Sequence, residues 1–189
     1  LVKLAAIKKK VGYPDKWKNY DDVTVSKNNF FSNEKNIQLH NQREQIAKIG
    51  KVVDKMEWQM TPPTVNAYYN PTINEIVFPA GILQFPFFDA NADDAINYGG
   101  IGMVIGHEMT HGFDDQGSQY DEKGNMKNWW GTGDLTKFKA KTGGVVNQYN
   151  SFVVLGDQHV KGDLTLGENL ADIGVLAIAY DAFTLTKQG

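Results

Sequence analysis

Residues 98–111 read Tyr-Gly-Gly-Ile-Gly-Met-Val-Ile-Gly-His-Glu-Met-Thr-His, a glycine-rich apolar run that ends in two histidines. Asn91 and Asp94 offer polar caps before this run, so the pattern predicts one helix that continues to His111. Glycines stand at positions 99, 100, 102 and 106, and each costs a helix interior about 1 kcal/mol relative to alanine. So many glycines together predict a buried helix whose backbone packs closely against its neighbours.

The two histidines carry the first chemical signal. On a helix, His107 and His111 lie on the same face and can reach one metal ion. Zinc accepts imidazole ligands of this kind, and Glu108 stands where a carboxylate can take a proton from zinc-bound water. The alternative to a metal site is that two surface histidines have this spacing by chance. The apolar helix that precedes them makes this alternative less favoured.

The third protein ligand decides the class of such a zinc site. A metzincin motif is excluded because it needs glycine and histidine where this sequence has Asp114 and Gly117. The segment Gly167-Glu-Asn-Leu-Ala-Asp172 instead puts Glu168 and Asp172 on one helical face, which suits a zinc ligand and an acceptor for a ligand histidine's N–H. An acidic first turn favoured by the helix dipole is the alternative explanation for this pair. Two isolated histidines also remain available as ligands, namely His40 and His159.

Composition limits the classes of function. With 189 residues, 41% hydrophobic and 22% charged, the chain has the size and composition of one ordinary globular domain. A net charge of -3 provides no basic field, so a nucleic acid partner is not expected. The absence of cysteine excludes disulfides and thiolate metal sites. No apolar stretch is long enough to predict a transmembrane segment.

The N-terminal third is predicted to be mostly helical. Within residues 1–25 we expect a short lysine-rich helix, then a break at Gly-Tyr-Pro 12–14, then a brief strand over 23–25. Apolar residues at loosely helical spacing over 26–51 predict one long helix or two helices on the surface.

The rest of the chain surrounds the histidine helix. Two strand-prone runs, 65–69 and 75–78, flank an Asn-Pro turn and predict a hairpin with one strand at a sheet edge. Residues 113–133 are rich in Asp, Gly and Asn and predict an irregular loop. Residues 134–155 are expected to be partly helical, and a last helix should start near 163–165 and end near 185.

Several ordered motifs give the sequence a family resemblance. It resembles the neprilysin and endothelin-converting-enzyme family of zinc endopeptidases from about residue 8 to the end of the chain. The resemblance rests on five segments, namely Asn66-Ala-Tyr-Tyr-Asn70, Phe78-Pro-Ala-Gly-Ile-Leu83, Gly106-His-Glu-Met-Thr-His-Gly-Phe-Asp-Asp-Gln-Gly117, Trp129-Trp130 and Gly167-Glu-Asn-Leu-Ala-Asp172.

The resemblance implies a role for each matching residue. One zinc ion would be bound by His107, His111 and Glu168. Glu108 would be the catalytic base, and Asp172 would orient a ligand histidine and is often described as the proton donor. Asn66 and Ala67 match edge-strand residues that bind the backbone of a peptide substrate by β-addition.

The resemblance also implies the architecture. We expect an α+β, thermolysin-like (gluzincin) catalytic domain, mostly helical, with a small sheet and an edge hairpin. Residues 1–189 should be part of one such domain, with a leading helical segment over 1–60 and the hairpin, zinc helix and glutamate helix over 61–189. Family members also have a preceding helical domain and a C-terminal remainder that supplies an oxyanion-stabilising histidine. We expect both to lie outside this chain, which alone should be weakly active or inactive.

Other functions stay open at this point. A thermolysin-type or aminopeptidase zinc hydrolase would share both motifs, and so would a non-catalytic zinc- or peptide-binding module. Glu108 argues against the non-catalytic binding module, because a purely structural zinc site needs no base. The cysteine-free composition resembles bacterial members of the family, which implies an exported protein, periplasmic or at the cell surface, with the cytoplasm as the alternative. The oligomeric state is not predicted.

Overall fold

The computed structural model describes residues 1–188. In chain order its elements are α1 (Val2–Ala5), β1 (Lys8–Gly12), α2 (Phe30–Ala47), β2 (Tyr68–Asn70), β3 (Glu75–Pro79), α3 (Asp94–Gly99), α4 (Ile101–His111), α5 (Asp134–Asn150), β4 (Val153–Leu155), β5 (Gln158–His159) and α6 (Leu166–Phe183). These elements form two compact units, one of residues 14–59 and the other of residues 1–13 with the chain from Met60 onward. No helix in the described part has the length and apolarity needed to cross a bilayer.

The larger unit contains a three-stranded sheet. Its order is β1-β3-β2, with β1 parallel to β3 and β2 antiparallel to β3. All five residues of the central strand β3 are buried, while β2 forms one edge. The β2–β3 turn ends at Asn74, whose φ of 51° lies in the left-handed region that asparagine tolerates. Side chains from the sheet and the start of α4 share one core cluster: Ile7, Ala67, Ile76, Phe78, Ile82 and Ile101.

The helices α4 and α6 pack closely against each other. At Gly106, an added Cβ would lie 3.6 Å from the Cβ of Val175, so the helix backbones meet with almost nothing between them. The facing side of α6 is built from small buried side chains, namely Ala171, Val175 and Ala179. The predicted close packing of this glycine-rich helix is therefore found at Gly106, while the helix as a whole is only partly buried, with Ile101, Gly106 and Glu108 as its buried residues.

The smaller unit consists of a loop and α2. The helix begins after Asn29, whose Oδ1 accepts a hydrogen bond from the Ser32 N–H at 3.0 Å, an ordinary N-terminal cap. His40 on this helix lies with Nδ1 2.9 Å from an Asp22 carboxylate oxygen and packs its ring against Tyr20. The predicted surface helix over 26–51 is thus confirmed as one helix.

The hairpin, the loop after α4 and the last two helices also agree with the elements predicted from the sequence. The hairpin forms from β2 and β3 with β2 at the sheet edge. Residues 113–133 form a loop with a short 3-10 turn at Gly117–Gln119, α5 makes the 134–155 segment partly helical, and α6 is the last helix.

Four predictions differ from the structure. Helix α1 ends at Ala5, and the lysine run that follows is strand β1, because it pairs along the otherwise open edge of β3. Residues 23–25 are not a strand; Val23 instead donates its N–H to the Tyr20 carbonyl in a turn. Residues 1–13 belong with the sheet rather than with a leading helical segment over 1–60. The hairpin of β4 and β5 was not predicted.

The fourth prediction that differs from the structure is that of a single helix over 91–111. The segment instead forms two helices, α3 and α4, separated at Gly100. The Phe87 carbonyl accepts the Ile101 N–H at 2.7 Å and lies so close to Gly100 that a Cβ there would collide with it. A hydrogen bond from outside the helix therefore replaces the intrahelical one.

The α4–α6 contact leads to a stability prediction. Val175 is 1% exposed, so Val175→Ala should leave a cavity and lower the free energy of unfolding by about 1–3 kcal/mol. Leu176, the next residue of the same helix, is 63% exposed, and Leu176→Ala should change it by less than about 0.5 kcal/mol. Urea denaturation followed by circular dichroism measures both. Equal losses for the two variants would contradict the described packing.

Candidate active site

Three potential metal ligands converge where α4 meets α6. His107 and His111 lie one turn apart on α4, with their Nε2 atoms 3.0 Å from each other. Glu168, in the first turn of α6, places Oε2 3.3 Å from His107 Nε2 and 3.7 Å from His111 Nε2. These three side chains are the one group of His, Asp and Glu residues within the described chain whose atoms are close enough to hold an ion.

Each histidine has its own carboxylate on the opposite ring nitrogen. Asp172, one turn after Glu168, lies with Oδ1 2.8 Å from His107 Nδ1. Asp114, in the loop after α4, lies with Oδ2 2.7 Å from His111 Nδ1. The two carboxylates differ in environment, because the Asp172 side chain is 69% exposed and that of Asp114 only 6%.

Both carboxylate oxygens of Asp114 have hydrogen-bond partners. While Oδ2 faces His111, Oδ1 accepts the N–H groups of Gln116 and Gly117 at 2.8 and 2.7 Å. Burial alone would lower the pKa of His111, but the hydrogen bond and charge of Asp114, together with Glu108 and Glu168, raise it above its ordinary value. The same carboxylates favour a cation at this position, whether a proton or a metal ion.

This donor set fits zinc. If both imidazoles are neutral and each donates its Nδ1–H to its carboxylate, both Nε2 atoms and the Glu168 oxygen direct lone pairs at one another without a hydrogen between them. Such an arrangement is repulsive unless a cation lies at its centre. Ligand atoms about 2.1 Å from a tetrahedral zinc ion are about 3.4 Å apart, which is close to the 3.0, 3.3 and 3.7 Å observed here.

Glu108 lies beside this group in a buried position. It is 5% exposed, and its carboxylate accepts the backbone N–H of Tyr69 from the edge strand β2. Burial raises the pKa of Glu108 above its ordinary value, and the nearby Glu168 adds to this, whereas the two histidines and the Tyr69 N–H act in the opposite direction. The carboxylate is thus fixed between the helix and the sheet edge.

A cleft of about 670 Å³ opens over these residues. Asn66 and Ala67 line one side, immediately before β2, and the Ala67 N–H donates to the Asn66 Oδ1 at 2.9 Å. The start of α6 and the loop after α4 line the other side. Its charged lining residues in the described chain are all acidic apart from the two histidines: Glu108, Asp114, Asp115, Asp163 and Glu168.

The residues selected from the sequence come together in this cleft. Among them, His107, Glu108, His111, Glu168 and Asp172 form one cluster, and Asn66 and Ala67 lie on the cleft wall. The two isolated histidines do not join it: His159 Nδ1 lies 2.9 Å from the Asn150 carbonyl, and His40 belongs to the smaller unit. The roles of the clustered residues stay predictions.

Sequence reasoning missed Asp114 as a partner of His111. That position served only to exclude a metzincin motif, although a carboxylate three residues after a helix-terminal histidine can fold back onto it. The loop sequence alone does not indicate that Asp114 is buried, whereas its neighbour Asp115 is only partly buried.

The fold is that of an α+β, thermolysin-like (gluzincin) catalytic domain, and its site brings two histidines and a glutamate together. The profile of Peptidase family M13 matches residues 66–189, and the chain belongs to this family. It is 45% identical over 98% of its length to an endothelin-converting enzyme homolog from Locusta migratoria and 42% identical over 94% to neprilysin-3 from Drosophila melanogaster. The predicted resemblance to the neprilysin and endothelin-converting-enzyme family is confirmed.

A solved structure agrees over the whole chain. The crystal structure of the zinc metalloprotease Zmp1 from Mycobacterium tuberculosis, in complex with an inhibitor, matches with a TM-score of 0.94 and 48% identity. The match covers 100% of this chain and 30% of that one. The chain also spans only 26% of the locust relative and 23% of the fly relative, so about a quarter of each.

The buried carboxylate leads to a prediction on metal binding. Asp114→Asn should weaken zinc affinity by roughly 10–100-fold, because the His111 ring loses the acceptor that fixes its tautomer and orientation. Asp163→Asn removes the same charge from the same cleft without a histidine contact, and it should bind zinc like the wild type. Competition with a chromophoric chelator gives both constants. Equal affinities for the two variants would show that the Asp114 contact does not support the metal.

Proposed function

We propose that this protein is a zinc-dependent endopeptidase that hydrolyses internal bonds of peptides. His107, His111 and Glu168 would hold one zinc ion, and Glu108 would act as the general base. The observation that supports this most is the convergence of two imidazole Nε2 atoms and one carboxylate oxygen beside a buried carboxylate, on the wall of an open cleft. A purely structural zinc site would need neither the carboxylate nor the cleft.

When bound, the zinc ion would supply an activated water molecule and a Lewis acid for the scissile carbonyl. Glu108 would accept the proton of the attacking water and later deliver it to the leaving amine. The Tyr69 N–H keeps the Glu108 carboxylate in one orientation for both transfers. Asp172 and Asp114 would hold the two imidazoles so that each presents Nε2 to the ion.

The peptide substrate would bind along the edge of β2. An edge strand offers unpaired backbone groups, and an extended peptide can add to it as a further strand. Because the Asn66 Oδ1 already accepts the Ala67 N–H, the Asn66 amide nitrogen is the group that would donate to a peptide carbonyl. Such backbone recognition suits cleavage inside a chain, and it distinguishes this proposal from an aminopeptidase.

An N-terminally blocked, internally quenched peptide separates these two activities. An endopeptidase cleaves it, whereas an aminopeptidase needs the free amine. By family resemblance we also propose that the protein is exported from a bacterium. On the same basis we propose that these 189 residues alone are a weak peptidase. An oxyanion donor supplied from outside these residues would contribute about 10²–10³ in turnover.

Two variants separate metal binding from proton transfer. Glu168→Gln should lose most of its zinc, because an amide oxygen is a much poorer zinc ligand than a carboxylate. Glu108→Gln should keep zinc at wild-type stoichiometry, yet turn over about 10²–10⁴-fold more slowly, because the amide cannot accept a proton. Metal analysis and turnover at matched zinc occupancy measure both effects. Full zinc content in Glu168→Gln, or wild-type turnover in Glu108→Gln, would contradict the assignment.

A further inference from the structure

A lysine at the start of the chain is buried against the loop that follows α4. Lys3, in α1, is 3% exposed, and its Nζ donates to the carbonyls of Gly117 and Tyr120 at 2.6 and 2.7 Å. The same ammonium lies 5.5 Å from the ring centre of Phe113 and 5.4 Å from that of Trp129. A residue more than a hundred positions away in sequence thus contacts both ends of the 3-10 turn Gly117–Gln119.

This turn is the segment that holds Asp114 in place. Gly117 donates its N–H to Asp114 Oδ1, and its carbonyl accepts from Lys3. Ser118 donates its N–H to the Asp114 carbonyl at 3.0 Å. The turn is also pressed against the end of α4, where a Cβ at Gly117 would collide with the His111 carbonyl. A continuous set of contacts therefore runs from Lys3 through the turn to Asp114 and on to His111.

The charge on Lys3 is not explained by packing alone. Burial lowers the pKa of Lys3 to about 8, against the opposing charges of Asp114 and Asp121, so the amine is still protonated at neutral pH. Lysine is rarely this buried, and desolvating its charge costs free energy that a methionine in the same space would not cost. What the ammonium adds is a set of strong, charge-assisted hydrogen bonds to two loop carbonyls.

We propose that Lys3 is a positioning residue of the metal centre: it fixes the turn after α4 and thereby holds Asp114 against His111. This proposal rests on the proposed zinc site. The competing explanation is that Lys3 only attaches α1 to the larger unit. Under that explanation its loss lowers the stability of the fold but leaves the zinc affinity of the folded protein unchanged.

Zinc affinity of the folded chain distinguishes the two explanations. The 189-residue chain is titrated with zinc against a chromophoric chelator, at a temperature where circular dichroism shows each variant to be folded. Lys3→Met should weaken zinc affinity by roughly 10-fold, in the range typical for residues that support metal ligands. Lys10→Met is the matched control, because Lys10 is also a mostly buried lysine of the larger unit but pairs with Glu75 at 2.8 Å in the sheet. It should lower stability and leave zinc affinity unchanged.

A double variant tests whether Lys3 acts through Asp114. If it does, Lys3→Met should weaken zinc binding in the wild type but have little further effect in Asp114→Asn. Wild-type affinity in folded Lys3→Met, equal losses in Lys3→Met and Lys10→Met, or fully additive losses with Asp114→Asn would each overturn the proposal. If Lys3→Met does not fold, Lys3→Gln, which keeps an amide donor and removes the charge, takes its place in the same comparison.

The outcome also separates this proposal from the one it rests on. A wild-type chain that binds no zinc overturns the proposed function and this inference with it. A wild-type chain that binds zinc, together with a Lys3→Met variant of equal affinity, overturns the role of Lys3 alone.

Discussion

The close approach of α4 and α6 is the constraint on which the site depends. The two histidines come from one helix, and the third acceptor comes from another that follows much later in the chain. At Gly106 and Val175 the helices touch with only a few atoms between their backbones, so Glu168 arrives within 3.3 Å of His107. A Cβ at Gly106 would be in van der Waals contact with Val175, so a side chain longer than that of alanine would push the helices apart, and the three acceptor atoms would no longer face one point. Gly106, which is a poor residue for an isolated helix, therefore serves this contact.

The two halves of the metal centre differ in rigidity. On the α4 side, His111 is fixed by a buried carboxylate, which is in turn fixed by backbone N–H groups and, in our account, by Lys3. On the α6 side, Glu168 and Asp172 are 70% and 69% exposed. Because few contacts hold exposed side chains, we expect the α4 side to be organised before metal arrives and the α6 side to adjust to it.

The sequence predicted those parts of the site that follow from local geometry. The spacing of His107 and His111 places both on one helical face, and that of Glu168 and Asp172 does the same, whatever the surroundings. The sequence alone could not predict features that depend on partners far away in the chain. The lysine run became strand β1 because β3 offered it a parallel edge, and the helix broke at Gly100 because the Phe87 carbonyl accepts the Ile101 N–H. The role of Asp114 depends on burial in a loop, which periodicity does not encode.

Zinc K-edge X-ray absorption of the chain loaded with one equivalent of zinc reports the ligands of the ion itself. We expect a four-coordinate ion whose shell, at about 2.0–2.1 Å, holds imidazole nitrogen and carboxylate oxygen, with outer-shell scattering from two imidazole rings. The same shell should lose one imidazole in His111→Ala. A six-coordinate, oxygen-only spectrum, or scattering from a single imidazole in the wild type, would contradict the claim that α4 and α6 together form this metal site.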